Sequence, residues 1–124
     1  MEELNKISYE IIGCAFKVHS KLGPGLLEST YQICLEHELK KLGYYVEVEK
    51  ALPVVYDEIK LDAGYRIDLM VNNRVIVELK SVEAISDVHI AQLLTYLKLS
   101  EVKLGLLINF NIKDLKQGIK RFII

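Results

Sequence analysis

Asp68, Glu78 and Lys80 are the residues of this chain whose types and spacing could do chemistry together. They sit in two apolar runs, Tyr65-Arg66-Ile67-Asp68-Leu69-Met70-Val71 and Arg74-Val75-Ile76-Val77-Glu78-Leu79-Lys80, parted by the turn-forming pair Asn72-Asn73. Side chains alternate between the faces of a strand, so Glu78 and Lys80 point the same way. Ile67, Leu69 and Val71 share one face with Val75, Val77 and Leu79 only if Leu69 lies opposite Val77. That register predicts Asp68 opposite Glu78 and a three-residue loop, Asn72-Asn73-Arg74. A two-residue turn would set Asp68 against Val77 and mix the faces. Two carboxylates opposed across a sheet repel, at a cost on the order of 0.2 to 1 kcal/mol. A bound divalent cation reverses that sign.

A plainer reading is a solvated charge lattice in which Arg66 and Lys80 flank Asp68 and Glu78. Such a lattice would set acids opposite bases, and the same face carries Met70 and Ile76, so something is expected to cover it. Two further segments bear on the choice. In Gly23-Pro24-Gly25-Leu26-Leu27-Glu28-Ser29-Thr30-Tyr31, the Gly-Pro-Gly triplet stops one helix and starts another, with Pro24 suited to a first helical position. Glu28 then falls in the first turn, where a carboxylate complements the helix dipole by ~0.3 to 1 kcal/mol, and Tyr31 one turn on reads as a core aromatic. The segment Ser86 to Leu97 reads as a helix capped by Ser86 or Asp87. Gln92 and Tyr96 share a face four residues apart with His89 beside them, while Leu94 and Leu97 face inward.

Asp68, Glu78 and Lys80 resemble the pattern of the PD-(D/E)XK nuclease superfamily: an Asp, a variable gap, then Asp or Glu, any residue, and Lys, on adjacent strands. Ile67 stands where the superfamily's name has Pro. Gly25-Leu26-Leu27-Glu28-Ser29-Thr30-Tyr31 resembles the pattern that names the GxxExxY family within that superfamily, and the resemblance runs over essentially the whole chain. The Gln92-x-x-x-Tyr96 spacing downstream of Glu78-x-Lys80 is similar to the third motif of the RecB-like exonuclease branch. The resemblance implies phosphodiester hydrolysis, DNA as substrate ahead of RNA, and a magnesium ion for which manganese substitutes. It implies Glu28, Asp68, Glu78 and the backbone carbonyl of Leu79 as metal ligands, of the hard-oxygen kind magnesium takes at ~2.0 to 2.1 Å. It makes Lys80 the group that positions the attacking water or meets the transition-state charge, with Asp68 and Glu78 beside it and Gln92 and Tyr96 in support. His89 is a weaker candidate.

The elements that must position these residues read as follows. A first helix is expected from about Glu3 to Leu22, with Leu4, Ile7, Ile11, Ala15 and Val18 on one face, and a second from Gly25 to Leu42, with Leu27, Tyr31, Leu35 and Leu39. Strands from Tyr45 to Ala51 and Pro53 to Tyr56 lead into the charged hairpin. A helix from Asp87 to Leu99, a buried strand from Lys103 to Asn109 and a last helix from Ile112 to Lys120 follow. The fold class is α+β, a mixed β-sheet flanked by helices in the order α-α-β-β-β-α-β-α, which the resemblance makes a restriction-endonuclease-like core.

The 124 residues, 51% hydrophobic, suit one domain spanning 1–124, with no linker, repeat or low-complexity run. No segment approaches ~20 consecutive apolar residues, and the opening Met-Glu-Glu-Leu-Asn-Lys lacks the build of a signal peptide. The expectation is a cytoplasmic protein with no membrane partner, and a homo-oligomer is left open. Cys14 and Cys34 match neither a zinc motif nor a disulfide framework and read as reduced packing residues. The net charge of -1 lacks the basic balance of a tight nonspecific nucleic-acid binder. Lys98, Lys103, Lys113, Lys116, Lys120 and Arg121 nevertheless gather positive charge toward the C-terminus, while Glu2, Glu3, Glu36, Glu38, Glu47 and Glu49 load the other end. A binding module without turnover, or an interaction domain that binds no metal, are the readings from other classes.

Overall fold

The computed structural model describes all residues from Met1 to Ile124. Helix α1 (Glu2–Leu22) buries Leu4, Ile7, Ile11, Ala15 and Val18, the stripe their helical spacing requires. Helix α2 (Glu28–Lys41) buries Tyr31, Leu35 and Leu39 beside it. Strands β1 (Val46–Ala51), β4 (Arg66–Val71) and β5 (Val75–Lys80) then alternate with a short hairpin of β2 (Val54–Tyr56) and β3 (Ile59–Leu61). Helix α3 (Asp87–Ser100), strand β6 (Leu104–Asn109), one turn of 3-10 helix (Leu115–Gly118) and strand β7 (Ile119–Ile123) complete the chain.

The main sheet has the order β1-β4-β5-β6-β7. Only β5 and β6 run parallel, joined by α3 as a crossover. α1 and α2 cover one face over a core that includes Leu69, Val71, Val77, Leu79, Leu106 and Ile108. α3 covers the other through Leu93, Tyr96 and Leu97, which pack on Met70, Ile76 and Leu107. This is the expected α+β architecture, a mixed sheet between helices, and the cover predicted for Met70 and Ile76 is α3.

Three boundaries differ from expectation. Residues 112–120 do not form a helix: Gly118 ends a single 3-10 turn, and the chain then extends as β7. The pull toward a strand comes from β6, whose six residues are all buried; without a neighbour its outer edge would leave backbone groups unpaired in an apolar core. β7 supplies the partners and splits its own side chains, Ile119 to the α1–α2 core and Phe122 to the α3 core. Helix α2 starts at Glu28 rather than Gly25, because Gly25 adopts φ 99 and cannot begin a helix, so Pro24 lies outside it. The segment after β1 is a separate two-stranded ribbon rather than one strand.

Two glycines set the distances between layers. A Cβ on Gly105 of β6 would lie 2.9 Å from Leu93 Cδ1, the mobile end of a side chain on α3, whereas one on Gly118 would lie 2.4 Å from the backbone oxygen of Asn109. Gly118→Ala is therefore expected to destabilise the chain by ~2 to 3 kcal/mol and Gly105→Ala by ~1 to 2 kcal/mol, the range of overpacking. Urea melts of the two variants measure the order, and the reverse order would contradict this packing.

Candidate active site

The β4–β5 hairpin has the register its apolar pattern requires: Leu69 pairs with Val77, Met70 with Ile76 and Val71 with Val75. Asn72 and Asn73 turn it in left-handed conformations, φ 51 and 55, which asparagine tolerates better than most residues. Arg74 closes the loop by donating its N–H to Val71 O at 3.0 Å. Beyond Leu69 side chains replace the backbone ladder. The Asp68 N–H donates to Glu78 Oε2 at 2.8 Å, and the Leu79 N–H donates to Asp68 Oδ2 at 2.8 Å. Each carboxylate thus satisfies an N–H of the opposite strand.

Asp68 is also where two strands lose their regularity. On its other side β1 pairs Val48 with Leu69 and Lys50 with Ile67, so Glu49 stands opposite Asp68. Glu49 has φ 51, which turns the strand and lets Lys50 Nζ reach Glu47 Oε1 at 2.8 Å, a contact regular alternation would forbid. Within β4, Leu69 and Val71 face α1 and α2, but Ile67 packs with the α3-side core. The expectation that Ile67 shares the face of Leu69 is corrected accordingly. Glu49 is a neighbour that the sequence reading missed, because nothing in the run Val46-Glu47-Val48-Glu49-Lys50 marks a left-handed residue.

Glu78 is only 4% exposed. Burial raises its carboxyl pKa well above the usual range, and the Asp68 charge raises it further. Burial likewise raises Asp68, partly offset by the Leu79 N–H, with the charges of Glu49 and Glu28 pushing the same way as burial. Lys80 lowers both, acting at a distance without forming a salt bridge. Asp68 Oδ1 and Glu78 Oε1 have no protein donor. Since every sealed-off polar side-chain atom of the chain has a partner, these two oxygens open to solvent.

Glu28 is exposed at the first residue of α2. Tyr31 fixes the loop before it: fully buried and stacked on Phe110 at 4.4 Å, it donates its hydroxyl to Gly23 O at 2.6 Å and accepts the Leu26 N–H at 3.1 Å. Ser81, the residue after β5, donates its hydroxyl to Leu26 O at 2.6 Å and pulls this loop toward the site. Glu28 and Ser81 line one shallow groove of about 360 Å³. Glu28 contributes to the field on Asp68, yet no group of three or more acids, histidines or cysteines is close enough to hold one ion. The structure thus brings Asp68 and Glu78 together and leaves Glu28 at the margin.

On α3, Tyr96 is 6% exposed and belongs to the core, where burial and then the charges of Glu78 and Asp68 raise its hydroxyl pKa. Gln92 is half-buried one turn earlier, and Leu93 rather than Leu94 joins Leu97 and Tyr96 as the deeply buried set. His89 serves the helix cap: the Ser86 N–H donates to His89 Nδ1 at 3.0 Å and the His89 N–H to Ser86 Oγ at 3.2 Å. Asn109, another residue the sequence reading missed, is buried at the end of β6. It accepts the Val82 N–H and donates to Val82 O, holding the chain that leaves Lys80. Helix α3, Asp87–Ser100 with Ser86 as its cap, and strand β6 are within a residue of where the sequence placed them, but Asn109 as a last strand residue carried no signal for this clamp.

The family model of the PD-(D/E)XK nuclease superfamily matches residues 5–122. The chain therefore belongs to the PD-(D/E)XK nuclease superfamily, and its function is nuclease-like. No curated protein and no solved structure matches it.

The donors present fit a divalent cation. Two desolvated, mutually repelling carboxylates each offer a solvent-facing oxygen without a proton donor, and magnesium is commonly held by one or two carboxylates plus waters. Without metal, both carboxyls titrate above their unfolded values, so the folded chain binds protons more tightly than the unfolded one. Their contribution to stability is complete below the ordinary carboxylate pKa, 4.5 for Glu78, and is lost as pH rises through the raised folded values. Glu78→Gln keeps an oxygen for the Asp68 N–H and removes the charge. In chelator, the melting temperature of the variant minus that of the wild type is expected to be near zero at about pH 4 and clearly positive at about pH 8. A difference that does not grow with pH would contradict the assigned cause.

Proposed function

We propose that the chain hydrolyses phosphodiester bonds of nucleic acid, DNA ahead of RNA, using a divalent cation, magnesium or manganese, bound at Asp68 and Glu78. The observation that carries this reading is the buried carboxylate pair with two open oxygens, set one strand residue pair from Lys80 in a chain of a nuclease superfamily. The cation would supply Lewis acidity to the scissile phosphate and acidify a bound water. The Leu79 carbonyl is a further ligand from the same strand, and Glu28 would enter through the metal's waters or with substrate, from the rim of the site.

The residues of the chain divide the remaining tasks. Asp68 and Glu78, oriented by each other's strand N–H groups, hold their free oxygens in place without searching rotamers. Lys80 is unpaired, so its ammonium is free to orient the attacking water and to meet the negative charge that grows on phosphorus oxygens. Tyr96 packs α3 against the sheet and brings a hydroxyl into the field of the carboxylates, with Gln92 beside it one turn away. Asn109 keeps the segment after Lys80 from drifting. A module that binds nucleic acid without turnover is the second reading, favoured by the lack of a three-acid cluster.

Thermal melts and a digestion assay on wild type, Glu78→Ala and Lys80→Ala separate these. Millimolar manganese is expected to raise the wild-type melting temperature by mass action. Glu78→Ala should lose that rise and be less stable than wild type in chelator, because the Asp68 N–H loses its acceptor. Lys80→Ala should keep the rise and lose cleavage by about 10²- to 10³-fold, and should be less stable than wild type in chelator because the nearest cation is gone. A wild type that manganese does not stabilise, or a Lys80→Ala variant that cleaves normally, sinks the assignment; metal and nucleic-acid binding without products establishes the second reading instead.

A further inference from the structure

A groove of about 450 Å³ lies between the β2–β3 ribbon and α3, and one of its lining residues, Tyr96, has its hydroxyl in the field of Glu78 and Asp68. Its walls include Leu61, Tyr65, Val88 and Leu99, and no charged residue; only Gln92 and Thr95 are polar. Tyr65 is 47% exposed and Val88 75%, so an apolar wall stands in water. The Tyr65 ring packs edge-on against Tyr96, centroids 6.4 Å apart at 68°. Its backbone is held where it is by the Leu52 N–H, which donates to Tyr65 O at 2.9 Å. Tyr65 precedes Asp68 by three residues, a reach of roughly 10 Å along a strand.

These facts select what the groove can take. A phosphate needs a cation or a row of backbone N–H donors, and the lining has no cation. A neutral, planar group with polar edges suits it: one ring face against Tyr65, apolar contact along Val88 and Leu61, and the amide of Gln92 and hydroxyl of Thr95 to donate to and accept from its edge. Tyr96, which lines the groove and whose hydroxyl feels the charges of Glu78 and Asp68, sets that group on the side of the carboxylate pair. We infer that the groove seats an unpaired nucleobase of the cleaved strand, stacked on Tyr65, so that the preferred substrate is single-stranded or frayed at the cut rather than intact duplex. The inference rests on the hydrolytic reading for the position of the cut, but the base seat stands on the groove itself. A base inside a duplex is already stacked and paired and cannot enter without being extruded, which selects against duplex.

The test uses the full chain and oligodeoxynucleotides of one sequence, single-stranded and duplex, each with 2-aminopurine at one position. Cleavage is followed with manganese, and binding is followed by 2-aminopurine fluorescence on the Lys80→Ala background. Tyr65→Ala and Val88→Glu, both at exposed positions, should weaken single-strand binding about tenfold, as loss of one base stack does, while Tyr65→Phe restores it; thermal melts establish that the variants fold. Wild type should cleave the single strand at least about tenfold faster than the duplex. Cleavage with equal rates on both forms, or single-strand binding indifferent to Tyr65→Ala and Val88→Glu, overturns the base seat and leaves hydrolysis standing. Tyr65-dependent binding with no cleavage of any form keeps the seat and overturns hydrolysis. Neither binding nor cleavage overturns both.

Discussion

The exchange of backbone for side-chain hydrogen bonds between Asp68 and Glu78 is the interaction around which the sheet is built. A hairpin normally satisfies its N–H groups along the ladder; here the N–H groups of Asp68 and Leu79 are satisfied by the carboxylates themselves. Hydrogen bonds to a charged acceptor are worth about 1.5 to 3 kcal/mol each, against ~0.2 to 1 kcal/mol for an opposed like-charge pair. The balance lets two acids remain buried side by side, and their raised pKa values are what burial leaves over. The same exchange parts the strands at this level, which is why Glu49 adopts a left-handed conformation across from Asp68 and why Ile67 turns to the α3 side. The irregular backbone and the acidic pair are one feature.

The two faces of the sheet do different work as a result. The α1–α2 face is dry along the length of β5 and β6, where Val77, Leu79, Leu106 and Ile108 interlock with the helices. The α3 face is apolar only from Met70 and Ile76 onward toward Leu97, and becomes polar at Glu78 and Lys80 as β5 leaves the helix. What would be a fraying strand end is held by Asn109 from β6 and by Ser81, which also draws in the loop before α2. Tyr31 stiffens that loop through a ring stacked on Phe110. A carboxylate at the head of α2 is thereby kept near the site without being packed into it, which suits a group that acts only when a ligand arrives.

The register of the hairpin was legible because period-two alternation with a buried face leaves one solution, and Asn72 and Asn73 supplied residues able to turn it. Helix α1 was legible for the same reason at a period of 3.6. The site proved less so wherever alternation breaks. Ile67 obeys the pattern in sequence but not in space, since its strand is bent by the carboxylate beside it. Residues 112–120 carry Leu115 and Ile119 at helical spacing, yet Gly118 and the need of β6 for a second neighbour decide otherwise; the first is a local mark, the second is visible only once the sheet exists. Tyr31, which reads in sequence as a core aromatic, is one, and its hydroxyl also clamps the loop before α2, a role its spacing does not signal.

An acidic chain, net charge -1, must attract a polyanion locally or not at all. Of the basic residues near the C-terminus, Arg121 is tied to α1: its guanidinium donates to Asn5 Oδ1 at 2.5 Å and to Ser8 Oγ at 3.4 Å. Around Asp68 and Glu78 the single charge of Lys80 is set against the acids Asp68, Glu28 and Glu49, so the metal-free site offers a phosphate no net positive charge. Under the proposed function, a divalent cation changes the sign of that site and of the field a substrate meets. Affinity for nucleic acid and catalytic competence would then be switched on together by one binding event, with the neutral groove beside Tyr65 adding contact that salt does not screen.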